Sequence, residues 1–355
     1  MSRNSPYEAV VVDDSQFMRT VLSDILERGD FEVIATARDG RDAVSTVAET
    51  TPDLVTMDLE MPEMDGIEAV ERIMETAPTP ILMLSAHTNE DADVTFEALD
   101  RGAVDFFTKP GGEVSTGIQS LEDQLLEKAT SVAMADVGSQ QSTDRSADSV
   151  ATADAAEFVT NPTVVIGAST GGPNVVEQIL RDLPPSLGAR ILVVQHMPDG
   201  FTGRFADRLD RTSDYEVREA SDGERIGDGE ALVAKGGHHL RVVGYHNGRL
   251  RVKLSKDEPR NGVRPAVDVT METAAQTITD PTIGVILTGM GRDGAVGMEA
   301  IARAGGHTIV QNENSAAVFG MPQRAIETGC VESVLPVDRI PAAIVDTLRT
   351  EVPSR

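Results

Sequence analysis

Cysteine is almost missing from this 355-residue chain. Cys330 stands alone, so no internal disulfide can form, and without a C-x-x-C pair no structural zinc site is expected; Cys330 reads as a small packed residue. No run of about 18 apolar residues occurs. The first residues, Met1 to Tyr7, are polar and the run Val10 to Val12 is short, so neither a membrane span nor a secretory leader is expected, and the chain reads as cytoplasmic. Basic residues are also scarce. Against 58 Asp and Glu stand 31 Lys and Arg, a formal charge of −27, and no basic stripe remains to displace counterions from a phosphate backbone. Nucleic acid is therefore not an expected partner. The excess acid is spread along the whole chain and the bases are mostly Arg, which suggests a surface adapted to high salt. Near 1 M salt the screening length falls to about 3 Å, which suppresses self-repulsion.

What is present suffices for two cores, since 40% of residues are hydrophobic and 25% charged. From Tyr7 to about Pro110, short apolar runs alternate with amphipathic stretches. Ala9 to Val12, Phe31 to Thr36, Leu54 to Met57, Ile81 to Leu84 and Val104 to Phe107 read as strands of a parallel sheet covered on both faces. A helical stretch follows from about Val114 to Ala135, with Ile118, Leu121, Leu125 and Leu126 on one side. Val137 to Asn161, rich in Ser, Thr, Asp, Gln and Ala, reads as a flexible acidic linker. The alternation resumes at Thr163, with strands at Thr163 to Ile166, Ile191 to Val194, Thr282 to Leu287 and Thr308 to Gln311. Asn247-Gly248 separates two further runs as a hairpin insert. The expected division is 1–126, a linker at 127–160, and 161–355. No short internal repeat is found.

Residues that follow the strands of a parallel sheet share one edge. In the first part these are Asp13, Asp14, Asp58, Ser85 and Lys109. Clustered carboxylates repel unless a hard cation joins them, and Mg²⁺ takes oxygen ligands of this kind. Asp58 is then a candidate nucleophile toward a phosphoryl group. The competing reading is that acidic loop residues in so acidic a chain are merely solvated.

In the second part, Gly167-Ala168-Ser169-Thr170-Gly171 fits the short G-x-S-x-G pattern at a strand-to-helix turn, which many non-catalytic turns also satisfy. A nucleophilic Ser169 needs a base, and His196 lies just past the next strand, in Gln195-His196-Met197-Pro198. Leu287-Thr288-Gly289-Met290-Gly291-Arg292-Asp293 supplies a carboxylate, Asp293, to orient that imidazole. Backbone N–H groups near Thr170 and Met290 are the candidate oxyanion hole. A second arrangement, Ser169, Asp293 and His307, would follow the chain order of α/β-hydrolases, but His307 begins its strand. His238, His239 and His246 lie around the hairpin and read as surface residues, for a metal set lacks a clear third ligand. His87 belongs to the first part.

Two resemblances cover nearly the whole chain. Val12-Asp13-Asp14-Ser15, Met57 to Gly66, Ser85-Ala86 and Thr108-Lys109-Pro110 resemble the response-regulator receiver domain. That resemblance implies a flavodoxin-like five-stranded fold and Asp58 as phosphoacceptor. It implies Mg²⁺ held by Asp14, Asp58 and the Glu60 carbonyl with Asp13 assisting. Ser85 and Lys109 would read the phosphoryl group, Phe106 would be an aromatic switch, and Lys109-Pro110 would be cis. Ile166 to Gly172, Gln195 to Pro198, Gly200-Phe201-Thr202, Arg264 to Asp268, Leu287 to Gly297 and Gly320-Met321-Pro322 resemble the catalytic domain of chemotaxis protein-glutamate methylesterases, which are also protein-glutamine glutaminases. The implied fold is doubly wound and mostly parallel α/β. The implied partners are a chemotaxis histidine kinase as phosphodonor and methyl-accepting chemoreceptors as substrates, with no cofactor for the esterase reaction and a monomeric state. The unphosphorylated receiver would cover the esterase site until Asp58 is phosphorylated. Lys235, where the family usually has proline, and Val263, where histidine is common, depart from the pattern and bear on local substrate contacts. A non-enzymatic phosphorylation-dependent binding module and a receiver-controlled esterase of small molecules are the alternatives.

Overall fold

The computed structural model describes residues 5–85, 89–109, 118–135, 137 and 158–350. The chain divides into two compact units, Met1–Gln141 and Ser142–Arg355. Outside the described residues fall the cis bond at Lys109-Pro110, His87, residues 114–117 of the expected helical stretch, and residues 136 and 138–157 of the linker.

The first unit alternates strand and helix. Its elements are β1 (Tyr7–Val12), α1 (Gln16–Leu26), β2 (Phe31–Ala37), α2 (Gly40–Thr50), β3 (Leu54–Asp58) and α3 (Gly66–Thr76). They continue with β4 (Ile81–Ser85), α4 (Asn89–Asp100), β5 (Asp105–Thr108) and α5 (Ile118–Ala133). Side chains of Ser15, Asp39 and Asp65 accept an N–H from the first turns of α1, α2 and α3, which starts each helix where its strand ends. The sheet order is β2-β1-β3-β4-β5, and every pair is parallel. β3 and β4 are buried along their whole length, as the largely apolar central strands of a covered parallel sheet must be. The order reverses between β1 and β3, which opens a crevice beyond their C-terminal ends.

The second unit opens with β6 (Thr163–Ala168), α6 (Gly172–Asp182), β7 (Arg190–Gln195), α7 (Phe201–Thr212), β8 (Glu216–Glu219), β9 (Arg225–Ile226) and β10 (Glu230–Val233). The hairpin β11 (His239–His246) and β12 (Arg249–Ser255) leads to α8 (Val267–Thr277), β13 (Thr282–Ile286) and α9 (Ala295–Arg303). The unit closes with β14 (His307–Gln311), α10 (Gly320–Glu327), β15 (Ser333–Leu335) and α11 (Ile340–Leu348). Seven parallel strands form the main sheet in the order β15-β14-β13-β6-β7-β10-β8. Three of them, β8, β10 and β15, carry no strand signal in the sequence reading. They are short, lie toward the two edges, and mix polar or charged with apolar residues, so neighbouring strands rather than local pattern define them.

The hairpin turns at Asn247 and Gly248 with φ of 50° and 75°, the left-handed pair that a two-residue turn requires. Its apolar face, Leu240, Val242, Leu250 and Val252, joins Val267, Met271 and Ala274 of α8 in one buried cluster. Each such Leu or Val contributes about 1.5–3 kcal/mol of burial, which fixes the start of α8 against the main sheet. β6 sits between β7 and β13, and the strand order reverses there, so the loops after these three strands share one crevice.

Candidate active site

Each unit carries one cluster at its crevice. In the first, Asp13 and Asp58 are buried and Lys109 bridges them, its Nζ 2.8 Å from Asp13 Oδ2 and 2.7 Å from Asp58 Oδ1. Exposed Asp14 completes the group, since Asp13, Asp14 and Asp58 each offer an oxygen within 4.8 Å of the others. Such an all-oxygen set of hard donors fits Mg²⁺. Burial pushes the Asp58 pKa up, and Asp13 adds to this, with only partial relief from Lys109. Burial works against the charge on Lys109, yet its bonds to Asp13 and Asp58 outweigh it and raise its pKa. Glu60 is exposed and lines the crevice beside Asp14. Ser85 is fully buried and its Oγ accepts from Thr95 Oγ1 at 3.2 Å. Phe106 points into the core, with Phe96 edge-on at 6.2 Å between ring centroids.

In the second cluster, Ser169 follows β6 and precedes α6. Gly171, with φ of 73°, makes the turn into that helix, and Pro173 suits its first turn. The Ser169 N–H donates to the Thr288 carbonyl at 3.0 Å, which ties the turn to the loop after β13. Gly289 keeps that loop close: a Cβ there would lie 2.7 Å from Ser169 Cβ. Ser169 itself is half-buried.

His196 and Asp293 meet, with Nε2 2.9 Å from Asp293 Oδ2. Asp293 is buried and also accepts the N–H groups of Val267 and Asp268 at the start of α8, at 2.6 and 3.2 Å. Burial opposes its charge, but His196 and those two amides outweigh burial and hold its pKa below the usual carboxylate value. Among the described residues, neither Ser169 Oγ nor His196 Nδ1 makes a hydrogen bond, so the serine and imidazole are not bonded to one another here.

The N–H groups of Thr170 and Met290 likewise have no acceptor among the described residues. His307 is exposed, lies at the opposite end of its strand and bonds Glu332 at 2.7 Å, which removes it from this cluster. His239, expected at the surface, is instead buried, with Nε2 bonded to the Glu258 carbonyl at 3.1 Å. Its side chain is turned under the hairpin by the alternation of β11.

The comparisons with known proteins agree with this layout. The CheB methylesterase family model matches residues 164–344, and the response regulator receiver domain model matches residues 9–116. A protein-glutamate methylesterase/protein-glutamine glutaminase from Haloarcula marismortui is 59% identical, covering 97% of this chain and 98% of the relative. One from Halobacterium salinarum is 56% identical over 96% of this chain and 99% of the relative. This chain belongs to the protein-glutamate methylesterase/protein-glutamine glutaminase family. The crystal structure of the Thermotoga maritima CheB methylesterase catalytic domain is 44% identical, covering 52% of this chain and 98% of that one, with a TM-score of 0.51. The strongly acidic composition fits its methylesterase relatives from halophilic archaea.

Three residues around this candidate site went unassigned from sequence. Buried Gln195 straps the turn, its Nε2 donating to the Ser169 carbonyl at 2.8 Å and to the His196 carbonyl at 3.3 Å. Its place next to His196, within the Gln195 to Pro198 motif, was the available signal. Asn261 and Asp268 contact Asp293 or its cage from a loop and helix distant in sequence, and Asp268 was visible only as part of the Arg264 to Asp268 motif. Lys235, the departure noted above, bonds Glu219 at 3.0 Å.

Proposed function

We propose that this protein hydrolyses glutamate methyl esters on the cytoplasmic helices of chemoreceptors, deamidates glutamines there, and is controlled by phosphorylation of Asp58. The observation that carries the reading is the 2.9 Å contact of His196 with buried Asp293, beside a serine at a helix N-terminus. Asp293 selects the imidazole tautomer with the proton on Nε2, so the lone pair on Nδ1 is free to take the Ser169 proton. Hydrogen bonds of this kind commonly tighten only when substrate is bound.

Ser169 Oγ then attacks the γ-carbonyl, and the developing oxyanion takes the unengaged N–H groups of Thr170 and Met290. One such donor contributes about 2.7–4 kcal/mol. The proton on His196 passes to the departing methoxide, and methanol leaves an acyl-serine. Water, deprotonated by His196, attacks the acyl carbon, and the proton returns to Ser169 as glutamate is released. Glutamine follows the same path with ammonia as the leaving group.

In the first unit, Asp58 is the phosphoacceptor and Lys109 pairs with the transferred group. Asp13, Asp14, Asp58 and the Glu60 carbonyl would hold Mg²⁺, which supplies charge neutralisation for the incoming phosphoryl group. Ser85 and Phe106 are read as the residues that sense it. A histidine kinase is the phosphodonor.

Methanol release from methylated receptors, with and without a phosphodonor, tests the reading. The wild type should release methanol faster when phosphorylated, and Ser169→Ala should release none above background. Release by Ser169→Ala at the wild-type rate would overturn it.

A further inference from the structure

Asp293 has a counterpart one helix away. Asp268 lies in the first turn of α8, is 1% exposed, and its Oδ1 accepts the N–H groups of Gly294 at 3.0 Å and Gly297 at 2.8 Å, at the start of α9. Asp293, just before α9, accepts the N–H groups at the start of α8. Each helix start is therefore capped by the carboxylate of the other.

Two buried anions side by side repel, and one side chain relieves both. Asn261 Nδ2 donates to Asp268 Oδ2 at 2.9 Å and to Asp293 Oδ1 at 3.0 Å. The remaining charged neighbours are Arg260, with Nε 3.7 Å from Asp268 Oδ2, and Glu272 of α8, which holds that guanidinium. Asn261 shares Oδ1 of Asp293 with the Asp268 N–H, while the Val267 N–H and the imidazole share Oδ2, so Asn261 is the side-chain donor that helps hold the carboxylate with Oδ2 toward His196. Its φ of 54° is a conformation that Asn tolerates, and it is largely exposed, so its removal opens no cavity.

We propose that Asn261 is a positioning residue for the Asp293–His196 pair, anchored by Asp268. The proposal rests on the methylesterase reading above. Its side-chain bonds go to Asp268 and Asp293, so it acts on His196 through Asp293, and its removal should affect kcat and its pH dependence more than KM.

The test uses the full chain, methanol release from methylated receptors across pH 6 to 9, and the thermal midpoint of each variant. Asn261→Gly keeps the backbone conformation and removes the donor. It should lower kcat about ten- to hundredfold, with KM within about twofold. The acid limb of kcat/KM should move to higher pH, because Asp293 without that donor stabilises the imidazolium more strongly. Asn261→Asp should be slower still at high pH and recover toward Asn261→Gly as acid protonates the new carboxyl. Asp268→Asn sets donor against donor and should release Asn261, so the double variant with Asn261→Gly should be no slower than Asp268→Asn alone. An Asn261→Gly protein with wild-type kcat and pH profile overturns the proposal. So does a loss of rate that follows the thermal midpoint with no movement of the acid limb. A wild-type chain that releases no methanol overturns the methylesterase reading and this proposal with it.

Discussion

Asp58 and Asp293 are both buried aspartates at the C-terminal edge of a parallel sheet, yet their acidities move in opposite directions. Asp58 has one cation to share with Asp13, so its charge stays costly, and a hard cation or a phosphoryl group bound with one relieves that cost. Asp293 sits among an imidazole, an amide and two helix N–H groups, so its charge is already stabilised without any ion. The first arrangement is suited to a ligand, whereas the second holds a fixed anion against His196, as the proposed role in orienting a base requires. The company of a carboxylate, rather than its burial, decides its use.

The largest test of that contrast is Asp293→Asn, which keeps the shape and removes the charge. Methanol release should fall by about 10⁴-fold, because the amide favours the wrong imidazole tautomer. A loss below tenfold would mean that Asp293 is only a cap. Asp58→Asn should take up no phosphoryl group from a small-molecule phosphodonor while a fluorophosphonate still labels Ser169. Phosphoryl uptake by that variant would place the acceptor elsewhere.

The smallest effect is on stability, and the two variants should differ in sign. Asp293 is held below the usual value, so its contribution is complete above the unfolded pKa of about 3.9 and is lost as pH falls through the folded value. Asp58 is held above the usual value, so the folded state binds its proton more tightly. Its penalty therefore grows as pH rises from about 3.9 through the folded value. At neutral pH, Asp293→Asn should lower the thermal midpoint of the full chain by about 2–8 °C and Asp58→Asn should raise it slightly. Both differences should shrink as the pH approaches 3. Shifts of the same sign at pH 7 would break the comparison.

The receiver strands were legible almost to the residue, since β1, β3 and β4 are largely apolar runs, with Asp13 just past the first and Asp58 and Ser85 closing the other two. The placement of Ser169, His196 and Asp293 at one edge was legible for the same reason: each follows a buried strand of one parallel sheet. The cage around Asp293 was not legible. Asn261 reaches it across 32 positions from an exposed loop, and no periodicity reports a contact of that kind. His239 was misread because polarity alone suggests the surface, whereas the register of β11 turns it inward.

The sequence by itself determined which chemical groups are available and at which sheet edge they gather, because strand ends, turns and caps are local and leave local patterns. Only the tertiary structure decided that Asp293 meets the start of α8, that Asp268 meets the start of α9, and that Asn261 joins them. Those contacts depend on how two helices pack over one sheet, and packing brings together residues whose separation along the chain carries no signal.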